Sequence, residues 1–393
     1  MQIAISGVGI VSSLGIGADA TLDAIARSTS GLAPAARFLA TRHRVPVGEV
    51  PHSNETLSAL LGLAPQACHS RTALLGMVAA REALLDAGDG TGLRTGLVSA
   101  TSVGGMDRTE EFYADYLRDP SRGRLRDVVM HDCSASTRAI ARYCAIDGLA
   151  TTVSTACSSA ANAILTGARL IRHRIADRIV VGGTDALSRF TLGGFRSLMI
   201  LDEQPCRPFD ASRAGLNLGE GAGYLVLQRA DTLRREPYGY LTGSANANDA
   251  YHQTASSAEG EGAYRAMSGA LAAARIAPEQ VDYINAHGTG TPNNDLAEGR
   301  AIRRLFGDRV PPFSSTKGFT GHTLAAAGGI EAVLCALALR DGLVYPNLRF
   351  EQPIPEHGLV PERQLRSGRP IRHVLSNSFG FGGNCTSLLF SKP

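Results

Sequence analysis

Short β-rich runs alternate with Ala-rich helical runs along the whole chain, and that alternation leaves few architectures open. Residues 3–11, 95–100, 178–182 and 224–228 read as strands. Residues 72–86, 158–172, 262–275 and 325–340 read as helices, because Ala and Leu recur there at helical spacing. Buried strands joined by helices imply an α/β fold with both sheet faces covered. The second half repeats the logic of the first: helix 262–275 leads to a strand at 281–285, helix 325–340 follows, and a last strand pair brackets Gly380–Gly383. The 393 residues therefore read as two similar halves, 1–237 and 238–393, with a seam near 235–240.

Charge and cysteine usage exclude several classes. The net charge of +3 is carried by no basic run and no stripe of interleaved basic and aromatic residues, so nucleic acid is not an expected partner. The small positive excess suits an acidic protein partner instead. The seven cysteines show no paired spacing, which argues against a disulfide framework or a zinc ribbon. No uninterrupted apolar run of about 18 residues occurs, and residues 1–7 look like the start of a strand rather than a basic leader, so the expectation is a cytoplasmic protein without a membrane span.

Three residues in small-residue frames carry the chemistry. Cys157 lies in Ser154-Thr155-Ala156-Cys157-Ser158-Ser159, at the start of a helical run. Unpaired N–H groups at such a helix start favour a thiolate and can hold the oxyanion of a tetrahedral intermediate. His287 follows a β-run and opens Gly288-Thr289-Gly290-Thr291, while His322 ends a glycine-containing loop. Strand ends that open into such loops are where α/β proteins place reactive groups. Only two of the 39 basic Lys and Arg residues are lysine, and one of them, Lys317, precedes His322 by five positions. A lysine there offers a compact donor that arginine cannot. Glu331, in the following helix, is placed to hold it by a charged hydrogen bond. No HxH, HxxxH or CxxC spacing accompanies these residues, so no metal is expected. In Asn377-Ser378-Phe379-Gly380-Phe381-Gly382-Gly383, glycines bracket Phe379 and Phe381, letting the backbone approach a ligand while a ring swings or stacks.

In order along the chain, these motifs resemble the β-ketoacyl-[acyl-carrier-protein] synthases, in the elongating branch with a Cys-His-His set. The resemblance includes Thr155-Ala156-Cys157-Ser158-Ser159, Arg207-Pro208-Phe209-Asp210 through Gly223, and the HGTGT loop at His287. It implies a thiolase-like fold, two βαβαβαββ halves in five layers, working as a dimer. It also implies roles. Cys157 would take the acyl group from an acyl carrier protein. His287 and His322 would stabilise the enolate formed when malonyl loses carbon dioxide, with Lys317 and Glu331 orienting them. The backbone N–H groups of Cys157 and Phe381 would make the oxyanion hole. Phe381 would gate the site, and Thr289 and Thr291 would hold the phosphopantetheine arm, with no other cofactor. Val103 and Met106 are candidates for a lining supplied to the partner subunit, and Arg196 and Arg71 for the carrier docking surface.

The chain also departs from the family's usual Gly-Gly-Thr-Asn, having Gly382-Gly383-Asn384-Cys385. The stretch from Gly194 to Asp202, with Pro205–Asp210 and Gly215–Glu220, is similar to ketosynthases of aryl-polyene and flexirubin-type pigment pathways. That likeness implies elongation of conjugated chains; housekeeping fatty-acid elongation is the alternative. A thiolase would place a second catalytic Cys where this chain has its glycines, and an initiating synthase would have Asn in place of His322. A non-catalytic chain-length-factor subunit would lack the nucleophile, although this chain could be the active half of such a heterodimer as readily as of a homodimer.

Overall fold

The computed structural model describes residues 1–34, 36–64 and 67–392. Its strands are β1 (Ile3–Ser12), β2 (Gly15–Ile16), β3 (Thr95–Ala100), β4 (Ala150–Val153), β5 (Arg178–Asp185), β6 (Gly221–Arg229), β7 (Gly239–Asn248), β8 (Tyr283–Asn285), β9 (Phe313–Ser314), β10 (His373–Gly380) and β11 (Asn384–Ser391). They lie in the order β4-β3-β5-β6-β1-β7-β11-β10-β8-β9, with β2 paired to β1. The junction in the middle is slender: β1 and β7 share only the pairs Ala4–Tyr240 and Ile5–Gly239.

Either side of that junction the same pattern occurs twice. In the first group β4, β3 and β5 are parallel, and β5–β6 and β6–β1 are antiparallel. In the second, β9, β8 and β10 are parallel, and β10–β11 and β11–β7 are antiparallel. Helices Arg71–Ala87 and Cys133–Tyr143 cover the outer face of the first sheet, and Glu261–Ala274 and Pro292–Phe306 that of the second. Between the sheets lie Ser159–Arg172 and Ala327–Asp341, each touching strands of both. The result is the five-layered α/β architecture that the resemblance implies.

Composition explains the central layer. In Ala327–Asp341 every residue from Ala327 to Leu339 is buried, so this helix is apolar all round rather than on one stripe. Small residues let it lie close to a sheet: a Cβ on Gly329 would sit 2.4 Å from the carbonyl oxygen of Gly223 on β6. The elements expected from the sequence form within two residues of their expected limits, except that β5 runs three residues further and β6 starts three residues earlier. Unforeseen were β2, β4, β7, β9 and the helices Ala18–Ala26, Asn54–Leu60, Met106–Arg118, Leu125–Val129, Cys133–Tyr143, Arg189–Ser197, Pro292–Phe306 and Lys317–Thr320. The sequence of β7, GYLTGSANAN, is rich in Gly, Asn and Ala, which are poor strand formers; pairing with β11 over eight residues imposes the extended form. Among the described residues no helix is long and apolar enough to cross a membrane.

Candidate active site

Four loops converge at one end of the two sheets. Cys157 follows β4, His287 follows β8, Lys317 and His322 follow β9, and Phe381 lies in the turn between β10 and β11. The first three leave the carboxyl ends of parallel strands, where open α/β sheets present reactive groups.

The backbone bends sharply at Ala156, whose φ is +52°, before the helix Ser159–Arg172. Ser159 Oγ accepts from Thr155 N–H at 2.7 Å and donates to the Ala156 carbonyl at 2.5 Å, closing the bend. Cys157 is 7% exposed. The amides of Cys157 and Phe381, the pair expected to form an oxyanion hole, both approach its sulfur. The expected depression of the thiol is not found. Burial pushes it up to about 12, against the Lys317 charge and these two N–H groups. The helix start alone does not offset desolvation in so enclosed a site.

The two histidines are buried, with ring centroids 5.4 Å apart and planes crossed at 87°. Burial and the Lys317 charge hold both well below the usual imidazole range, so both are neutral at pH 7. Their tautomers follow from their neighbours. His322 Nδ1 accepts from Leu324 N–H at 3.1 Å, and His287 Nδ1 lies 3.4 Å from Lys317 Nζ. Each ring therefore carries its proton on Nε2, as a donor. Lys317 Nζ also donates to the His287 carbonyl at 2.6 Å and pairs with Glu331. The resemblance foresaw this trio; the part played by Leu324, held at φ +55° so that its N–H meets the ring, was not foreseen.

The loop after His287 is held from below by two buried carboxylates. Glu298 accepts from the N–H groups of His287 and Gly288, and Asp295 from those of Thr289 and Gly290. Burial pushes Glu298 up to about 7. Sequence reasoning passed over this pair, although two acids three positions apart just behind a glycine-rich loop are a readable signal.

Two cavities meet at Cys157. The front one, about 310 Å3, is lined by Thr289, Thr291, Phe379, both histidines and His252, among others. The rear one, about 430 Å3 and mainly apolar, is lined by Ser102, Val103, Phe190, Gly194, Leu198 and Leu324. Cys157, Phe195 and Phe381 border both. The rings of Phe195 and Phe381 stack 5.9 Å apart at 19°, forming a partition. Phe195 was not foreseen. Val103 lines its own chain's rear cavity, while Met106 lines neither and starts the helix Met106–Arg118. Arg196 is exposed and approaches His43 Nδ1 at 3.4 Å. Arg71 is corrected as a docking candidate. It is 7% exposed, paired with Glu220 at 2.6 Å and committed to the carbonyls of Val50 and His52, so it presents no charge to a partner.

Comparison with known proteins bears directly on this geometry. A family model described as "Beta-ketoacyl synthase, N-terminal domain" matches residues 1–233, and "Beta-ketoacyl synthase, C-terminal domain" matches residues 238–351. A relative named 3-oxoacyl-[acyl-carrier-protein] synthase 2 from Staphylococcus aureus (strain N315) is 36% identical over 332 residues, covering 80% of each chain. One of the same name from Rhizobium meliloti (strain 1021) is 35% identical over 427 residues, covering 100% of this chain and 99% of its own. Among solved structures, the ishigamide ketosynthase/chain length factor superposes with a TM-score of 0.93 at 28% identity, covering 100% of this chain and 99% of that one. The ketosynthase ApeO in complex with its chain length factor ApeC from Xenorhabdus doucetiae gives 0.87 at 33%, covering 100% and 98%.

Proposed function

The chain belongs to the β-ketoacyl synthase family, with its thiolase-like fold and its 3-oxoacyl-[acyl-carrier-protein] synthase activity, and from that premise we propose how its residues divide the reaction. Cys157 attacks a carrier-bound thioester. Its sulfur bonds to the acyl carbon, the carrier thiol leaves with the proton, and the amides of Cys157 and Phe381 stabilise the intermediate oxyanion. Malonyl on a second carrier then occupies the front cavity, its arm against Thr289 and Thr291. Loss of carbon dioxide leaves an enolate whose oxygen receives two N–H donors, His287 Nε2 and His322 Nε2. Two neutral donors suit an oxygen that becomes anionic only in the transition state, because they do not bind the ground state as strongly as charged ones would. The enolate carbon attacks the Cys157 thioester, the bond between the acyl carbon and the Cys157 sulfur breaks, the sulfur takes a proton from water, and the product leaves two carbons longer as a 3-ketoacyl thioester on the carrier.

The observation that carries this reading is the placement of one thiol, two Nε2–H imidazoles and two amides at the boundary between two cavities. Conjugated chains are the proposed substrates. The flat Phe195 and Phe381 rings beside Cys157, with Phe190 in the rear cavity, suit a planar chain. The pigment-pathway resemblance of residues 194–220 supports the same substrate class. An acidic acyl carrier protein is the proposed donor, and a chain-length-factor-type subunit the proposed partner.

Mass spectrometry tests the proposal. Incubation with carriers bearing saturated, 2,4-dienoyl and aryl-enoyl groups should add acyl mass to the Cys157 peptide, and malonyl-carrier should then yield a 3-ketoacyl product. Preference for the conjugated groups supports the polyene reading, and preference for saturated ones replaces it with fatty-acid elongation. Acyl mass on no donor would reject Cys157 as the acceptor.

A further inference from the structure

The helix Arg189–Ser197 and the residue after it line the rear cavity with Phe190, Thr191, Gly194, Phe195, Ser197 and Leu198. Positions 190, 194 and 198 fall on one face at helical spacing. The middle one is glycine. A glycine inside a helix is destabilising by roughly 0.5–1 kcal/mol relative to alanine, so it calls for a reason.

Elsewhere in this chain's longer helices the reason is steric. A Cβ on Gly76 would lie 2.5 Å from Ile140, on Gly167 2.3 Å from Val181, on Gly262 2.8 Å from Asp249, on Gly299 2.3 Å from His357, and on Gly329 2.4 Å from Gly223. Gly194 has no such neighbour. A Cβ there meets nothing within 4 Å, and its φ is not in the left-handed region. Neither packing nor backbone conformation requires a glycine at this position. What it borders is the space behind Cys157.

We infer that Gly194 is a specificity-determining position: the side chain it lacks keeps the rear cavity open for the growing acyl chain as it passes along the helix Arg189–Ser197. A larger residue would project from the cavity-facing stripe, between Phe190 and Leu198, and shorten the space available. This inference rests on Cys157 holding the chain in that cavity.

The test uses the full chain with whatever partner subunit it requires. Gly194→Ala and Gly194→Leu are compared with Gly193→Ala, which makes the same change in helix propensity one position off the stripe; a Cβ on Gly193 has only His43 nearby, at 3.9 Å. Acyl mass on the Cys157 peptide and product length are read for donors of increasing chain length. Gly194→Leu should shorten the longest product by at least one two-carbon unit, with Gly194→Ala between it and the unaltered protein. Loading of a four-carbon acyl group should stay within twofold, and Gly193→Ala should change nothing. An unchanged product distribution in Gly194→Leu, or equal loss for short and long donors, overturns the inference. Absence of acyl mass on Cys157 in the unaltered protein overturns the reading beneath it instead.

Discussion

Lys317 shows why a chain that otherwise writes arginine kept a lysine in this loop. The residue is 1% exposed, and its compact ammonium group reaches Glu331, the His287 carbonyl and the edge of the His287 ring at once. Its charge is one of the causes holding both imidazoles neutral. Lys317→Met removes that charge, so both histidines should titrate at higher pH, and the acid limb of malonyl decarboxylation should move upward. A pH–rate profile that stays in place would separate Lys317 from the histidines. The same change leaves Glu331 buried without its partner, which should lower stability by about 3–5 kcal/mol in denaturant titration. Cys157 gives the complementary prediction. Its thiol is high because it is buried, so alkylation by iodoacetamide should rise with pH well beyond the range of an ordinary cysteine. Phe381→Ala removes part of the enclosure but keeps the Lys317 charge, and should bring that midpoint down. Sequence reasoning identified this cysteine from its small-residue frame but gave its acidity the wrong sign, because a local motif does not report how deeply the fold buries it.

At the scale of the elements, the turn between β10 and β11 is tied to the nucleophile by Asn384. Its Oδ1 accepts from Ser158 Oγ at 2.7 Å, Asn162 Nδ2 at 2.8 Å and Asn246 Nδ2 at 2.8 Å, joining both central-layer and second-sheet elements. Between Asn384 and Phe381 lie Gly382 and Gly383, both at positive φ, so the ring stands on a flexible pair with a fixed anchor behind it. Asn384→Ala removes the acceptor these three donors share; Ser158 Oγ keeps the Thr155 carbonyl and Asn246 Nδ2 keeps Thr386 Oγ1, while Asn162 Nδ2 keeps only Thr155 Oγ1 within 3 Å. It should cost about 1–3 kcal/mol in stability and slow acylation of the Cys157 peptide, with Asn384→Thr intermediate. Wild-type acylation in Asn384→Ala would show that the network supports the fold without positioning the elbow. The sequence marks Asn384 as a departure from the family pattern, yet its partners there are 138 to 226 positions away. Spacing rules see neighbours one turn or one strand apart, which is why Cys157 and His287 were legible and this hub was not. Phe195 escaped for the same reason, since its partner Phe381 lies on a distant loop.

For the molecule as a whole, the two arginines proposed for carrier docking separate cleanly. Arg71 and Glu220 are 8% and 0% exposed at their side chains and brace the loop at Val50 against the first sheet. Arg71→Met should lower stability by about 3–5 kcal/mol in denaturant titration without a selective effect on carrier-bound substrate. Arg196→Glu, on the surface near the front cavity, should raise KM for carrier-bound substrate and spare acylation by a small thioester; equal loss on both would remove it from the docking face. The layered α/β fold was readable, because apolar runs and Ala-rich helices announce buried layers. That the sheets meet along only two residue pairs was not, since no local pattern encodes which strand edges touch. The position of β11 has a consequence for synthesis. Among the described strands it emerges last from the ribosome, yet it lies between β7 and β10 and supplies the interior of the second sheet. The first sheet can assemble while translation continues, whereas β7 waits through more than a hundred residues with its β11 edge unpaired. Nascent chains halted before Asn384 should therefore bind chaperones through their second half alone, and released chains that include β11 should not.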